Sequence, residues 1–217
     1  MDSQRIDGAT SRPAIRILSP RSYNNSGTQP QWLCRANREK HVSAQSFLGN
    51  VPEILLEEPC QRLLVKMSMQ DYESARQLIN DSEDADFDGE KPEELVLKAE
   101  AALGVKFPPT YRRFLLEFGC GDIGGEEIYG IIDENFESSS VPNGIWLTLD
   151  ERKTGNLPPN YIIVYAGGDG SYCAIDTAQV REGNESPVVR LAVDKTLVEE
   201  VASNFGSFLN GIVSDMA

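Results

Sequence analysis

Histidine is almost absent from this chain: His41 is the one copy in 217 residues. It lies in the N-terminal stretch, so no Ser-His-Asp or Cys-His pair can form in the domain that follows, which excludes a large share of hydrolases. Cysteine is scarce too. Cys34, Cys60, Cys120 and Cys173 show no C-x-x-C spacing, so neither a zinc site nor a disulfide framework is expected, and reduced thiols in a cytoplasm fit best. No apolar run approaches the roughly 20 residues that span a bilayer, and the opening MDSQRIDGATSRP lacks the apolar core of a secretory signal. We therefore expect a cytoplasmic protein, neither secreted nor held in a membrane.

The last shortage is of cations, and it is local. Residues 67–217 hold 11 Lys/Arg against 28 Asp/Glu, a charge of −17, whereas residues 1–66 hold 9 against 6, or +3. A region so poor in Lys and Arg is not expected to bind DNA, RNA or anionic lipid, because phosphate contacts need those residues. The acidity suits a basic partner, or serves only to keep a small cytosolic protein soluble. Apolar content of 40% and charge of 25% are otherwise ordinary, and the length allows one well-buried domain.

What is present is best organised around residues 107–132, FPPTYRRFLLEFGCGDIGGEEIYGII. Pro108 and Pro109 sit where a first helical turn tolerates missing N–H groups, and Tyr111, Phe114, Leu115 and Phe118 recur at i, i+3, i+4 and i+7. Gly119 falls where a helix takes a left-handed residue after its last turn. Gly121, Gly124 and Gly125 follow before Ile128, Gly130 and Ile132 resume an apolar pattern. A helix therefore ends against a glycine-rich corner that feeds a strand over 127–132.

The pattern Leu-Gly-Val-x-Phe-Pro-x-x-Tyr-x-x-Phe-Leu-x-x-Phe-Gly-x-Gly, from Leu103 to Gly121, resembles the SUKH superfamily and within it the YobK-like bacterial immunity proteins. Similar blocks are TLDERKTGNLPPN at 148–160, YIIVYAGGDGSYCAID at 161–176 and VASNFGSFL at 201–209. Together they cover roughly residues 69–212, and their order is more specific than any one of them.

Along the chain, residues 1–50 are rich in Ser, Asn, Gln, Pro and Arg and keep no sustained apolar period. Residues 1–66 read as a disordered extension, or as an upstream start-site artefact, since Met67 and Met69 precede the first family-like residues; 67–217 read as the domain. A helix over 54–65 is expected to break at Pro59. Asp71–Asn80 reads as a first helix with Tyr72, Ala75, Leu78 and Ile79 on one face, and the acidic run 81–90 as a solvated loop. The next helix opens at Pro92, turns Leu95, Ala99, Ala102 and Leu103 inward, closes at Gly104 and packs on the helix 110–118. Strands follow at 161–165, 171–176 and 188–193, with Gly167–Gly170 as a hairpin turn. Residues 145–153 are ambiguous between helix and strand. Asp194 is expected to cap a final helix carrying Leu197, Val201, Phe205, Phe208 and Ile212, with Glu199 and Glu200 outside. The sum is an α+β domain with a mostly antiparallel sheet, N-terminal helices and a C-terminal helix, as the resemblance also implies.

No catalytic constellation emerges. Cys120 stands at a helix C-terminus, whose dipole raises a thiol pKa. Asp122, Glu126 and Glu127 suggest a metal or an acid–base pair, but adjacent strand residues point to opposite faces, so a solvated acidic edge is the better reading. Gly167–Gly170 lacks the Lys-Ser/Thr of a phosphate loop. We expect no metal and no cofactor.

The resemblance implies a non-enzymatic immunity protein that binds and neutralises a cognate toxin domain, basic and often a nuclease. Family-motif residues such as Phe114, Gly119 and Gly121 are expected to form the fold. The partner-binding candidates are Asp122, Glu126, Glu127, Asp133, Glu134 and Asp169, with Tyr129 or Trp146 as an apolar anchor, although a lone Trp is more often core. The alternative is a regulatory or scaffolding module, since eukaryotic members of the superfamily are linked to signalling and cell-wall control. Toxin identity and oligomeric state are not encoded legibly.

Overall fold

The computed structural model describes residues 57–216, with side chains from Met69 onward. Among the described residues the α-helices and strands of two antiparallel sheets are α1 (Glu57–Asp81), β1 (Ala85–Phe87), α2 (Glu93–Leu103), α3 (Pro109–Phe118), β2 (Gly121–Ile123), β3 (Glu126–Ile128), α4 (Gly144–Thr154), β4 (Tyr161–Ala166), β5 (Tyr172–Asp176), β6 (Val188–Leu191), β7 (Leu197–Ala202) and α5 (Phe205–Met216). The expected α+β domain is what these elements build. The expectation of disorder or a false start at 1–66 lies mostly outside the described residues.

The α3 stripe drives the packing. Tyr111, Phe114 and Leu115 are wholly buried and Phe118 nearly so. Each such side chain contributes about 2 kcal/mol by leaving water. Tyr111 and Phe114 meet Phe205 of α5 with ring centroids 4.9 and 5.2 Å apart, and Phe87 of β1 meets Phe114 and Phe118 at 6.0 and 5.2 Å. Phe205, Phe208, Leu209, Ile212 and Val213 turn the buried face of α5 to the same cluster, which also takes Tyr72, Ala75 and Ile79 of α1.

Strands β4 to β7 form a four-stranded meander in sequence order. One of its faces gives Ile162, Val164, Cys173, Ile175 and Val188 to the helical cluster. The other gives Ile163, Ala174, Val189 and Leu191 to a second cluster with Leu147 of α4, where Trp146 packs from the side. The four-stranded sheet is thus a middle layer, with α1, α3 and α5 on one side and α4 on the other.

Several expectations need correction. α1 begins at Glu57 rather than Asp71 and runs through Pro59, because a proline in the first turn removes an N–H that has no helical partner. The acidic run 81–90 is not all loop, since β1 pairs with β2. The strand expected over 127–132 stops at Ile128, after which Gly130 only bridges to Asn143. Ala102 is exposed, and Glu100 takes the inward position instead, its Oε1 accepting the Phe107 N–H at 3.0 Å. Residues 145–153 are helical, with the Asn143 side chain capping the Trp146 N–H.

The largest miss is the final helix. It starts at Phe205, while Leu197–Ala202 is an edge strand in which Glu199 and Glu200 meet Arg190 and Arg181 across β6 and its flank. Asp194 caps a turn, accepting from the N–H and hydroxyl of Thr196 at 3.1 and 2.6 Å. Apolar residues of β7 and α5 happen to share a helical spacing, and Ser203-Asn204 breaks it between them; Asn204 Oδ1 accepts the Ser207 N–H and caps the true helix.

One buried carboxylate ties distant elements. Glu185, 4% exposed, accepts the N–H and hydroxyl of Thr110 at 3.0 and 2.9 Å, and the Gly206 N–H donates to the Thr110 oxygen at 3.2 Å. The N-termini of α3 and α5 therefore both point toward this acid, the end of a helix that favours negative charge.

The corner after α3 is built by backbone contact. Gly119 has φ 69° and ψ −80°, positive as expected but outside the left-handed helical region. A Cβ on Gly130 would stand 1.8 Å from the Gly119 carbonyl oxygen, and one on Gly121 2.3 Å from that of Asp86. We expect Gly130→Ala to cost about 3 kcal/mol or more in chemical denaturation, because rigid backbone has to move. Gly168→Ala, where a Cβ meets nothing within 4 Å, should change stability by less than about 0.5 kcal/mol.

Candidate functional site

The three-stranded sheet β1-β2-β3 places three acids in one row. Asp86 pairs with Asp122, and Asp122 with Glu127, as direct cross-strand partners. Partners in register share a face on strands about 4.8 Å apart. The flanking positions face inward: Phe87, Gly121 and Ile128 in one row, Ala85, Ile123 and Glu126 in the other, with Ile123 and Ile128 buried. The alternation is the reason the sequence folds this way, since Asp84-Ala85-Asp86-Phe87-Asp88 switches between acid and apolar at every residue.

Like charges directly opposite on neighbouring strands cost about 0.2–1 kcal/mol per pair. Among the described residues no ion pair involves Asp86, Asp122 or Glu127. The Glu127 carboxyl titrates above the ordinary glutamate value, first because the sheet takes part of its hydration and then because Asp122 stands opposite. The row is a surface with negative charge held closer than it would settle by itself, which a cation relieves.

The other candidate residues are spread out. Glu126 points away from the row and accepts the Tyr165 hydroxyl at 2.5 Å, as the opposite facing of neighbouring strand residues requires. Tyr129 is 5% exposed and belongs to the second core cluster. Asp133 and Glu134 are exposed in the loop after Ile132; Asp133 accepts the Asn135 N–H at 2.8 Å, and Glu134 pairs with Lys98 at 2.6 Å. Trp146 is partly buried on α4. Asp169, in the β4–β5 turn, accepts from the Ser171 hydroxyl and N–H at 2.6 and 3.0 Å, and these bonds hold it below the usual aspartate value. So the structure brings Asp122 and Glu127 together and adds Asp86, from the run expected to be loop. Three residues are too few to register as a period, but the acid–apolar alternation around Asp86 was the available signal.

The thiols are poor nucleophiles. Burial pushes Cys120 up to about 11 and Cys173 up to about 12. Among the described residues no group of three or more His, Cys, Asp or Glu is arranged to hold a metal ion, and no helix is long and apolar enough to cross a membrane. What the row offers chemically is attraction for positive charge.

The family model described as SUKH_5, SMI1-KNR4 cell-wall, matches residues 67–214. Comparison with curated proteins returns no match.

A titration prediction follows from the row. A carboxyl whose folded pKa is raised lends stability below its unfolded pKa, and that stability is lost as pH rises through the folded value. Glu127→Gln should therefore stabilise the fold by about 0.5 kcal/mol at pH 7 and leave it unchanged at pH 3, read by denaturant midpoints at both.

Proposed function

Because the chain belongs to the SUKH superfamily, we propose that it is an immunity protein of the YobK-like kind, which binds and neutralises a cognate toxin domain without doing chemistry itself. The family match is the observation that carries this reading. We assign the binding to the domain 67–217 in the cytoplasm and the toxin to a basic type, a nuclease by preference. A nuclease has a cationic cleft for its substrate, and a domain of charge −17 competes for that cleft as a polyanion.

The row Asp86, Asp122 and Glu127 is the surface to which we assign first contact. Complementary fields raise association rates to about 10⁸–10⁹ M⁻¹s⁻¹ at low salt, and speed matters when the toxin kills on release. Affinity at the limit, with dissociation constants of about 10⁻¹³ M, needs desolvated anchors as well as charge. Asp133 and Glu134 extend the acidic edge beyond the corner; Trp146 and Asp169 lie on other elements and would join only a partner that wraps the sheet end.

The family's own name refers to the cell wall, which favours a second reading, a regulatory or scaffolding module. The two differ in what travels with the chain. An immunity protein retrieved from its own cells should bring down one stoichiometric basic toxin domain, encoded beside it, whereas a scaffold should bring down signalling or wall-associated proteins. With the toxin in hand, Asp86→Lys, Asp122→Lys and Glu127→Lys combined should slow association by about tenfold or more and flatten its salt dependence while the domain stays folded. An unchanged association rate removes the row from the interface.

A further inference from the structure

Lys91 lies between β1 and α2, and its side chain is only 10% exposed. Its Nζ donates to the Ile132 carbonyl at 2.7 Å and forms an ion pair with Asp88. Its stem crosses directly over Gly119: a Cβ there would stand 2.5 Å from Lys91 Cε. The backbone on either side is tied to the same place. The N–H groups of Lys91, Gly89 and Asp88 donate to the carbonyls of Leu116, Phe118 and Cys120 at 3.0, 3.1 and 2.8 Å. These include carbonyls of the last turn of α3, which has no helical donors left for them. A cation at the C-terminal end of a helix is also favoured by the helix dipole.

Apart from the segment after it, β1 is held by its pairing with β2 and by Phe87, which packs on Phe114 and Phe118. The strand is three residues long, pairs on one side only, and leads directly into the segment that Lys91 pins. Asp86 reaches the acidic row only while β1 stays in register with β2, and the register brings it directly against Asp122, with Glu127 one strand further on. Burial of Phe87 opposes that repulsion from the inner face, and Lys91 ties down the chain where it leaves the strand. We infer that Lys91 is a positioning residue for the partner-binding row: threaded over Gly119 and bonded to Ile132 and Asp88, it latches β1 in place and so delivers Asp86 to the row. The inference rests on reading the row as the partner surface. It also gives Gly119 a second reason to be glycine, because any side chain there displaces the latch.

The sign of the effect separates a latch from a simple charge. Lys91→Met keeps the stem over Gly119 and removes the ammonium. If Lys91 acted only through its charge, its loss would leave the domain more negative and a cationic probe would bind tighter. If it positions β1, the probe binds more weakly. The probe is a decalysine peptide titrated at low salt against the full chain, with Asp86→Asn, Asp122→Asn and Glu127→Gln combined as the row-neutral control. We expect the control to lose most binding, Lys91→Met to weaken it about fivefold, and Lys91→Arg to restore it.

Amide hydrogen exchange of the free chain judges the latch apart from any binding. In Lys91→Met the amides of Asp88, Gly89 and Gly124, which donates to Asp84 at 3.2 Å, should exchange about tenfold faster while those of α5 are unchanged. Unchanged exchange, or equal or tighter decalysine binding that depends on the row, overturns the role of Lys91. Equal binding by the row-neutral control instead sinks the row as a cationic surface, and the exchange result still decides the latch. Should Lys91→Met not fold, exchange in the unaltered chain decides: the amides of Lys91, Gly89 and the β1 pairing should open as one unit, and independent opening contradicts the inference.

Discussion

Three stretches of backbone meet at the corner after α3 with no side chain between them. The Gly119 carbonyl accepts the Ile131 N–H at 3.0 Å, Gly130 lies against that carbonyl, and the Gly130 carbonyl accepts the Gly144 N–H at 2.8 Å. From this contact the chain leaves toward both sheets. β2 pairs with β1 on one side and β3 on the other, and Tyr129 donates its N–H to the Val164 carbonyl at 2.8 Å, joining the small sheet to the large one. Any Cβ at Gly121 or Gly130 would sit inside another residue's backbone, so the approach is set by sterics rather than by a sum of weak attractions.

That constraint decides where charge ends up. The aromatic stripe of α3 buries the inner face of the small sheet through Phe87, and the alternation of the strands then leaves Asp86, Asp122 and Glu127 on the outer face. Hydrophobic burial of a few rings outweighs the repulsion of the row, about 2 kcal/mol per buried ring against less than about 1 per like pair. A site that is tolerated by the fold but relieved by a cation is suited to a basic partner, as the proposed function requires.

The elements with long apolar periods were legible. α3, its two prolines and its terminal glycine, α2, and strands β4 and β5 with the Gly167–Gly170 turn stand close to where spacing and turn residues put them. Failures came where tertiary pairing overrides local pattern. Leu197 and Val201 fit a helix with Phe205 and Phe208, but pairing with β6 drew them into a strand. Of the site, Asp122 and Glu127 were readable from the glycine-bounded hairpin, and so was the opposite facing of Glu126. Asp86 does not stand out locally because its row exists only through a register between strands separated by 36 positions, and the sequence offers Tyr129 as an apolar anchor because nothing local reports that its ring joins a core on the far side of the sheet.

The measurement that bears most directly on this account is a hydrogen-exchange footprint of the full chain with and without the toxin domain recovered alongside it. The account predicts new protection concentrated at residues 84–88, 121–123 and 126–128, the three strands of the acidic row. Protection confined to β7 or to the junction of α2 and α3, with those strands unchanged, would contradict it.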